Sequence, residues 1–589
     1  MADKPHRICQ QPVLPALKPA SRHSGYNPFP SFPLQRGSVS RGIPSLAAHL
    51  SAHTTVIIDG YIGILWDDLR ERMDESFNTL GIRASWIDVS CALRSQEEIG
   101  KLAEPFLGGD DPLFGTRTGL QLPDFFDHEK LHEIAGRTAE MLTICYGTGA
   151  FLTGLNGLNV YIDLPKNEIQ YRSRAGSITN LGMPQPDDPK KMYKRFYFID
   201  WIVLNRHKEI FLDQIDVFAD GQRPDDITWA AGDDIRNTLD AMSVNFFRVR
   251  PWFEPGAWGG NWIRTHIKGL SDEVPNYAWS FELISPENGL LIESENRLLE
   301  LSFDWLMYRS APLVLGNCHA RFGNEFPIRF DFLDTMAGGN LSIQCHPHKE
   351  YMKSHFGEEF TQEEAYYILD AEPDATVYLG FRDEADPEVL REALETSFHD
   401  RQPLDVERFV QKHPSRKHDF FLIPPGTVHG AGRNNLVLEI SSTPYIFTFK
   451  LYDWLRPDLD GKPRQLSISR GMDNLRFDRY GDTVIRELIS SPVLIDKGQN
   501  WELWRLPTHA DHLYDVHRVE FTGEIHVETE GRCHVLSLVE GAGIVVKTAA
   551  GMQQKFSYAE TFIIPAAAGS YRVINESASK AMLIKAFVK

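Results

Sequence analysis

The chain has 589 residues, 42% hydrophobic and 24% charged, a balance typical of a soluble globular protein. Its net charge of −20 argues against a nucleic acid or an anionic membrane as the main partner, because both bind basic surfaces. We find no apolar run near the roughly 20 residues that span a membrane, no signal-like N-terminus, and no cysteine spacing typical of a disulfide framework. A cytoplasmic protein is the expectation, and the oligomeric state stays open.

The N-terminal part of the chain divides into a tail and an α/β domain. Residues 1–52 are rich in Pro, Ser, Arg and His without periodicity, which predicts a flexible tail. Residues 53–235 alternate apolar runs with amphipathic stretches, which predicts a parallel sheet with crossover helices. The predicted strands are 54–60 and 158–163, and the predicted helices are 66–81 and 128–143.

The start of this domain has the layout of a nucleoside-kinase-like fold. Residues 56–69 lie where such a fold has its first strand and phosphate loop. The chain nevertheless contains no GxxxxGK[ST] motif, so the Gly-rich cradle and its lysine are missing. We therefore expect a degenerate kinase-like domain or a plain α/β domain without that phosphate site.

From about residue 240 the pattern changes to short alternating runs bounded by Gly, Pro and Asn, which predict antiparallel strands. Residues 240–480 form one predicted β core, and residues 490–589 form a second, C-terminal β domain. A helical insertion is predicted near 383–412, with Asp386 as its N-cap and Pro387 in its first turn. Its predicted apolar face consists of Val389, Leu390, Ala393 and Leu394.

Three segments of the β core carry side chains suited to a divalent metal ion. Gln344 and His346 are two residues apart in a predicted strand, so they face the same side while Cys345 faces away. Glu364 begins another strand, and His429 follows a Pro-Gly turn. Two imidazoles, one carboxylate and one amide oxygen suit Zn²⁺ best, with Mn²⁺, Co²⁺ and Fe²⁺ as alternatives. Taken alone, a histidine in a strand is more often a structural residue than a metal ligand, and a glutamate there is usually on a solvated face.

These segments resemble the class I (type I) mannose-6-phosphate isomerase family. The matching stretches are FPIRFDFLDTMAGGNLSIQCHP (326–347), EAYYILDAEPDATVYLGF (364–381), FLIPPGTVHGAGRNNLVLEIS (421–441) and LYDWLRPDLDGKPRQL (451–466). The resemblance covers roughly 245–589 and implies a cupin core, a double-stranded antiparallel β-helix, carrying a helical insertion. In this chain an extra N-terminal α/β domain precedes that core. The resemblance also implies that Gln344, His346, Glu364 and His429 bind the metal.

The family further implies an aldose–ketose isomerase acting on mannose 6-phosphate and fructose 6-phosphate. Such a reaction moves a proton between C1 and C2 and needs a base and a group that stabilises the oxyanion. Glu439 is the predicted base and Lys450 its electrostatic partner. Ser342 matches a family position near the phosphate, and Arg456 is a predicted substrate-binding residue.

The chain departs from the family at basic positions. Asp331 and Gln362 stand where the family has lysines, and Lys450 is the nearest equivalent of a family arginine. Because a carboxylate repels phosphate, an isomerase of an unphosphorylated or different sugar is the first alternative. A non-catalytic, metal-binding sugar-sensing cupin protein is the second. The sequence does not decide among these functions.

Overall fold

The structure, a computed structural model, describes residues 5–9, 11–19, 25–136, 141–285 and 287–589. Two compact units divide the chain. The first unit consists of Met1–Ser21, Phe29–Met242 and Pro286–Ala311, and the second of Arg22–Pro28, Ser243–Ser285 and Pro312–Lys589. Among the residues that the structure describes, none of the helices combines the length and the hydropathy needed to cross a membrane.

The first unit is built on a seven-stranded sheet in which five consecutive strands, ending at one edge of the sheet, are parallel. In spatial order its strands are Ser40–Arg41, Thr228–Ala231, Val217–Asp220, Leu158–Asp163, Thr55–Gly60, Leu142–Tyr146 and Ala84–Asp88. The helices of this unit are Ile43–Leu50, Trp66–Thr79, Gln96–Ala103, His128–Ala135, Lys166–Ala175, Pro189–Arg195, Trp201–Phe211, Gly232–Met242 and the start of Asp304–Leu315. The parallel α/β organisation agrees with the sequence prediction for this region.

Three details of the first unit differ from the predictions. The predicted helix 128–143 ends at Ala135, and Leu142–Tyr146 is a strand; residues 137–140 lie outside the described part of the chain. The segment predicted as a flexible tail contains the strand Ser31–Pro33 and the helix Ile43–Leu50. That helix is ordered by packing, because four of its eight side chains are buried.

A further difference is that a small three-stranded sheet combines segments that the sequence analysis assigns to different parts of the chain. Ser31–Pro33 pairs in parallel with Gly289–Ser294, which pairs with Arg297–Ser302. The segment Pro286–Ala311 therefore belongs to the first unit, although the sequence analysis assigns it to the β core. Pairing between residues about 260 positions apart leaves no local signal in the sequence.

The β core of the second unit consists of two antiparallel sheets. The seven-stranded sheet contains, in spatial order, Ile489–Ser490, Phe420–Ile423, Glu364–Ala371, Asn435–Ser442, Ile328–Asp334, Trp279–Leu283 and Trp252–Glu254. The five-stranded sheet contains Val410–Pro414, Thr376–Phe381, His429–Ala431, Ile343–Cys345 and Phe449–Tyr452. Helices of this unit are Trp262–His266, His319–Phe322, Lys349–Phe356, Pro387–Asp400, Ile468–Asn474 and Gly481–Leu488.

The helical insertion follows its predicted capping. The Asp386 carboxylate accepts hydrogen bonds from the backbone N–H groups of Glu388 and Val389, at 2.9 and 3.0 Å. Leu390 and Leu394 are buried as predicted, whereas Val389 is 37% exposed and faces away from the core. The cap explains where the helix Pro387–Asp400 begins.

The last hundred residues, predicted as a C-terminal β domain, form two antiparallel sheets within the second unit. Its six-stranded sheet contains Val493–Lys497, Trp501–Leu506, Tyr514–Phe521, Ala581–Val588, His534–Glu540 and Thr561–Ile564. Its four-stranded sheet contains Gly523–Glu528, Ser570–Asn575, Gly543–Thr548 and Gln553–Ser557. Side chains from both sheets share one apolar core that includes Leu536, Phe562, Val546 and Val573.

Candidate metal centre

The four predicted metal ligands come from both sheets of the β core. Gln344 and His429 lie opposite each other on neighbouring strands of the five-stranded sheet. His346 follows the Gln344 strand directly, and Glu364 begins a strand of the seven-stranded sheet. All four side chains are buried. The two sheets therefore face each other at this point and direct the four residues to one place.

The ligand atoms lie at contact distance around one carboxylate oxygen. Glu364 Oε2 is 2.9 Å from His346 Nε2 and 2.9 Å from His429 Nε2. The donor atoms of these three residues all lie within 4.8 Å of one another. This is the compact arrangement of histidine nitrogens and a carboxylate oxygen that a divalent transition metal requires.

The outer nitrogens of the two histidines are held by backbone carbonyls. His346 Nδ1 is 3.1 Å from the carbonyl oxygen of Phe447, and His429 Nδ1 is 2.9 Å from that of Thr427. A carbonyl oxygen only accepts, so both Nδ1 atoms donate, and both Nε2 atoms face the Glu364 carboxylate. Rings held in this way through their outer nitrogens are typical of histidines that bind a metal ion.

Gln344 is oriented by a hydroxyl. Ser342 Oγ donates to Gln344 Oε1 at 2.8 Å, and Gln344 Nε2 lies 3.3 Å from His429 Nε2. A half-turn of the amide would direct Oε1 toward the histidines and let the NH₂ group donate to Ser342. The predicted fourth ligand and the predicted residue Ser342 are thus both in contact with the cluster.

Polar side chains continue from the cluster across one side of the seven-stranded sheet. Strand register aligns Glu364, Ser441 and Arg329 in one row, and Tyr366, Glu439 and Asp331 in the next. Paired positions on neighbouring antiparallel strands point to the same side of a sheet. We call these six residues the polar face.

Burial and mutual repulsion dominate the electrostatics of the polar face. Burial, then the carboxylates of Glu364 and Asp331, raise the pKa of Glu439 well above its usual range. Burial raises the pKa of Asp331 to about 7, although Arg329 opposes that shift. Burial also disfavours ionised Glu364, but His346 and His429 outweigh it and hold the pKa of that carboxyl well below its usual range. The acid next to the histidines thus stays charged, whereas Glu439 is poised to hold a proton.

The two predicted basic residues lie in different surroundings. Lys450 is opposite Gln344 on the neighbouring strand, so its side chain starts from the same side of the sheet as the metal ligands. Arg456 donates to Asp453 Oδ1 at 2.5 and 3.1 Å and lines a small cavity of about 20 Å³ with Tyr452 and Leu466. No described residue of the metal cluster lines that cavity.

Sequence reasoning did not assign three members of the polar face, Ser441, Tyr366 and Arg329. The Tyr366 hydroxyl and the Nε and Nη1 atoms of Arg329 are buried and have no hydrogen-bond partner among the described residues. Tyr366 could have been found from its position, two residues after Glu364 on the same side of the strand. Arg329 could not, because its relation to Glu364 depends on register across three strands.

A second buried charge cluster lies in the first unit. Lys166 Nζ is 2.9 Å from Asp304 Oδ2, and Lys208 Nζ is 3.4 Å from Asp163 Oδ1 and 3.7 Å from Asp304 Oδ2. Both lysines are fully buried. Since each lysine is paired with a carboxylate of the same unit, the cluster is electrostatically complete without a ligand.

The geometry of the metal centre predicts one divalent ion per chain. Replacing His429 by Ala should weaken metal binding by more than the about 10- to 100-fold that loss of an outer-shell partner costs. Metal content after dialysis, measured by mass spectrometry, checks this, with His526→Ala as the control because His526 is exposed and lies in the C-terminal domain. Equal metal content in the two variants would show that the ion binds elsewhere.

Comparisons with known proteins agree with the predicted resemblance. A family model described as a domain of unknown function (DUF8485) matches residues 42–244. Mannose-6-phosphate isomerase ManA of Bacillus subtilis is 28% identical over 232 residues, which cover 39% of this chain and 68% of the relative. The probable mannose-6-phosphate isomerase GmuF of the same organism is 24% identical over 329 residues, covering 55% of this chain and 95% of the relative.

Among solved structures, the mannose 6-phosphate isomerase from Bacillus subtilis matches with a TM-score of 0.47 and 18% identity, over 58% of this chain and 99% of that one. The curated relatives are named as mannose-6-phosphate isomerases, the type of isomerase that the sequence analysis predicts for this chain. The chain is thus similar in sequence to proteins named as mannose-6-phosphate isomerases.

Proposed function

We propose that this protein is a metal-dependent aldose–ketose isomerase that interconverts mannose 6-phosphate and fructose 6-phosphate. The observation that carries the proposal is the cluster of His346, Glu364 and His429 around one carboxylate oxygen, with Gln344 beside it. The names of the curated relatives support the substrate pair. Zn²⁺ is the proposed ion, with Mn²⁺, Co²⁺ and Fe²⁺ as alternatives, because the donors are two imidazoles, a carboxylate and an amide.

The residues of the centre have separate tasks in this proposal. Gln344, His346, Glu364 and His429 would hold the ion, which would supply Lewis-acid polarisation of the substrate oxygens. The backbone carbonyls of Phe447 and Thr427 accept hydrogen bonds from the two Nδ1 atoms and so direct both Nε2 atoms toward Glu364.

Glu439 is the proposed proton carrier of the reaction. Starting from the aldose, its carboxylate takes the proton from C2, the C2–H electron pair forms the C1=C2 bond, and the carbonyl electron pair moves to O1. Glu439 then returns the proton to C1 while the O2 proton moves to O1, which leaves the ketose. Its raised pKa makes it a stronger base than an exposed glutamate, as a proton carrier requires. Lys450, on the strand next to Gln344, is the proposed electrostatic partner of the negative charge on oxygen.

The second candidate function keeps the chemistry but changes the substrate to an unphosphorylated sugar. Asp331, at a position where the family has a lysine, is a buried carboxylate that already accepts a hydrogen bond from Arg329 at 2.9 Å. Gln362, at another family lysine position, is also buried and uncharged. Both substitutions weaken a phosphate site. Ser342 and Arg456 are the proposed substrate-binding residues, although the described contacts of Arg456 reach Asp453 rather than the cluster.

The substrate is decided by comparing mannose 6-phosphate with free mannose on protein of known metal content. Our proposal predicts metal-dependent turnover of the phosphate, abolished by a chelator and by Glu364→Ala. Turnover of mannose alone would assign the second candidate function. Fully metallated protein that binds a sugar but converts neither substrate would instead be a sugar-sensing protein.

The role of Glu439 predicts a specific kinetic defect. Glu439→Gln keeps the shape of the side chain but removes the proton carrier, so kcat should fall by about 10²- to 10⁴-fold while the bound metal stays. Glu372→Gln is the control, since Glu372 is exposed. Steady-state kinetics with metal analysis measures both. A Glu439→Gln variant with unchanged kcat would exclude this residue as the base.

A further inference from the structure

Arg329 is a buried cation with unused hydrogen-bond donors. The side chain is 4% exposed, and Nη2 donates to Asp331 Oδ2 at 2.9 Å. Its Nε and Nη1 atoms have no hydrogen-bond partner within the described parts of the chain. A guanidinium is always charged and carries five N–H donors, so leaving two of its nitrogens buried and unpaired is unfavourable unless another molecule meets them.

The strand register sets where these donors lie. Arg329 is opposite Ser441, which is opposite the metal-ligand candidate Glu364, so the three residues form one row on the same side of the sheet. Neighbouring strands are about 4.8 Å apart, so the strands of Arg329 and Glu364, which have the Ser441 strand between them, are roughly 10 Å apart. The carboxylates of Asp331, Glu439 and Glu364 outweigh burial and raise the pKa of Arg329, which agrees with a guanidinium close to all three.

The surrounding charges limit what Arg329 can bind. Three acidic side chains, Asp331, Glu439 and Glu364, share the polar face with this one cation. A phosphate dianion at this position would lie near these acids, of which Glu364 is held in its charged form. A sugar hydroxyl, or a carbonyl oxygen that gains charge only during the reaction, fits the unpaired N–H groups of Nε and Nη1 without that repulsion.

We propose that Arg329 donates its free N–H groups to the oxygens on C1 and C2 of the sugar and stabilises the enediolate that forms there. The proposal rests on the proposed isomerase function and adds a catalytic residue to it. It applies to a phosphorylated and to an unphosphorylated substrate alike, because C1 and C2 are the reacting end in both. It also gives the chain a cation two residues along the strand from Asp331, on the same side of the sheet.

Kinetics of Arg329 variants test the proposal. Arg329→Met should lower kcat by about 10²- to 10³-fold, the usual cost of losing one oxyanion donor. Arg329→Lys keeps the charge without the planar fork and should retain part of that activity. Both variants should keep the metal content of the wild type. Arg433→Met is the matched control, since Arg433 is an exposed arginine paired with Asp374, and its kcat should not change.

Chemical rescue separates a catalytic from a structural role. Added guanidinium ion at millimolar concentration should restore part of the activity of Arg329→Ala, because the small cation can occupy the vacated place. It should leave Arg433→Ala unaffected. A folding defect would not respond in this way.

The outcomes distinguish the inference from the function on which it rests. Wild-type protein that converts no sugar overturns the proposed function and the inference with it. Active wild type together with unchanged kcat in Arg329→Met and Arg329→Lys overturns the inference alone. Reduced kcat without any guanidinium rescue and with lost metal would make Arg329 a structural residue, which also overturns it.

Discussion

One oxygen atom, Glu364 Oε2, organises the β core of the second unit. It lies 2.9 Å from each of two imidazole nitrogens, and both rings donate from their other nitrogen to a backbone carbonyl. Three buried donor groups at this distance form an arrangement suited to a divalent cation. The two facing sheets bring these groups together at one place in the core.

Apolar and polar side chains alternate along the strands, which places the polar ones together on one side of the sheet. In IRFDFLD, the side chains of Phe330 and Phe332 lie on one side of the strand, while Arg329 and Asp331 lie on the other. Neighbouring strands repeat the pattern, so several ionisable groups share the side that carries Glu364. Such a surface is unfavourable for folding alone, since each charged group loses its hydration. Its retention supports a chemical role, as perturbed and unpaired groups cluster where proteins act on ligands.

The sequence predicts the local features of this protein well. The two-residue period brings Gln344 and His346 to one side, and the Asp386 cap starts the inserted helix where expected. The sequence prediction fails where pairing between residues far apart in the chain determines the structure. The segment Pro286–Ala311 joins the first unit by pairing with Ser31–Pro33. Arg329 shares a row with Glu364 only through the register of three strands. The helix predicted from residue 128 is also too long, because the hydrophobic periodicity gives no sign that the helix ends at Ala135.

The central claim, that a metal ion joins the two sheets at Glu364, is tested most directly by anomalous diffraction from crystals of zinc-loaded protein. Our account predicts one strong anomalous peak bonded to the Nε2 atoms of His346 and His429 and to the Glu364 carboxylate, with the Gln344 oxygen turned toward it. A fully occupied peak at another place, with both histidines still hydrogen-bonded directly to Glu364, would contradict it.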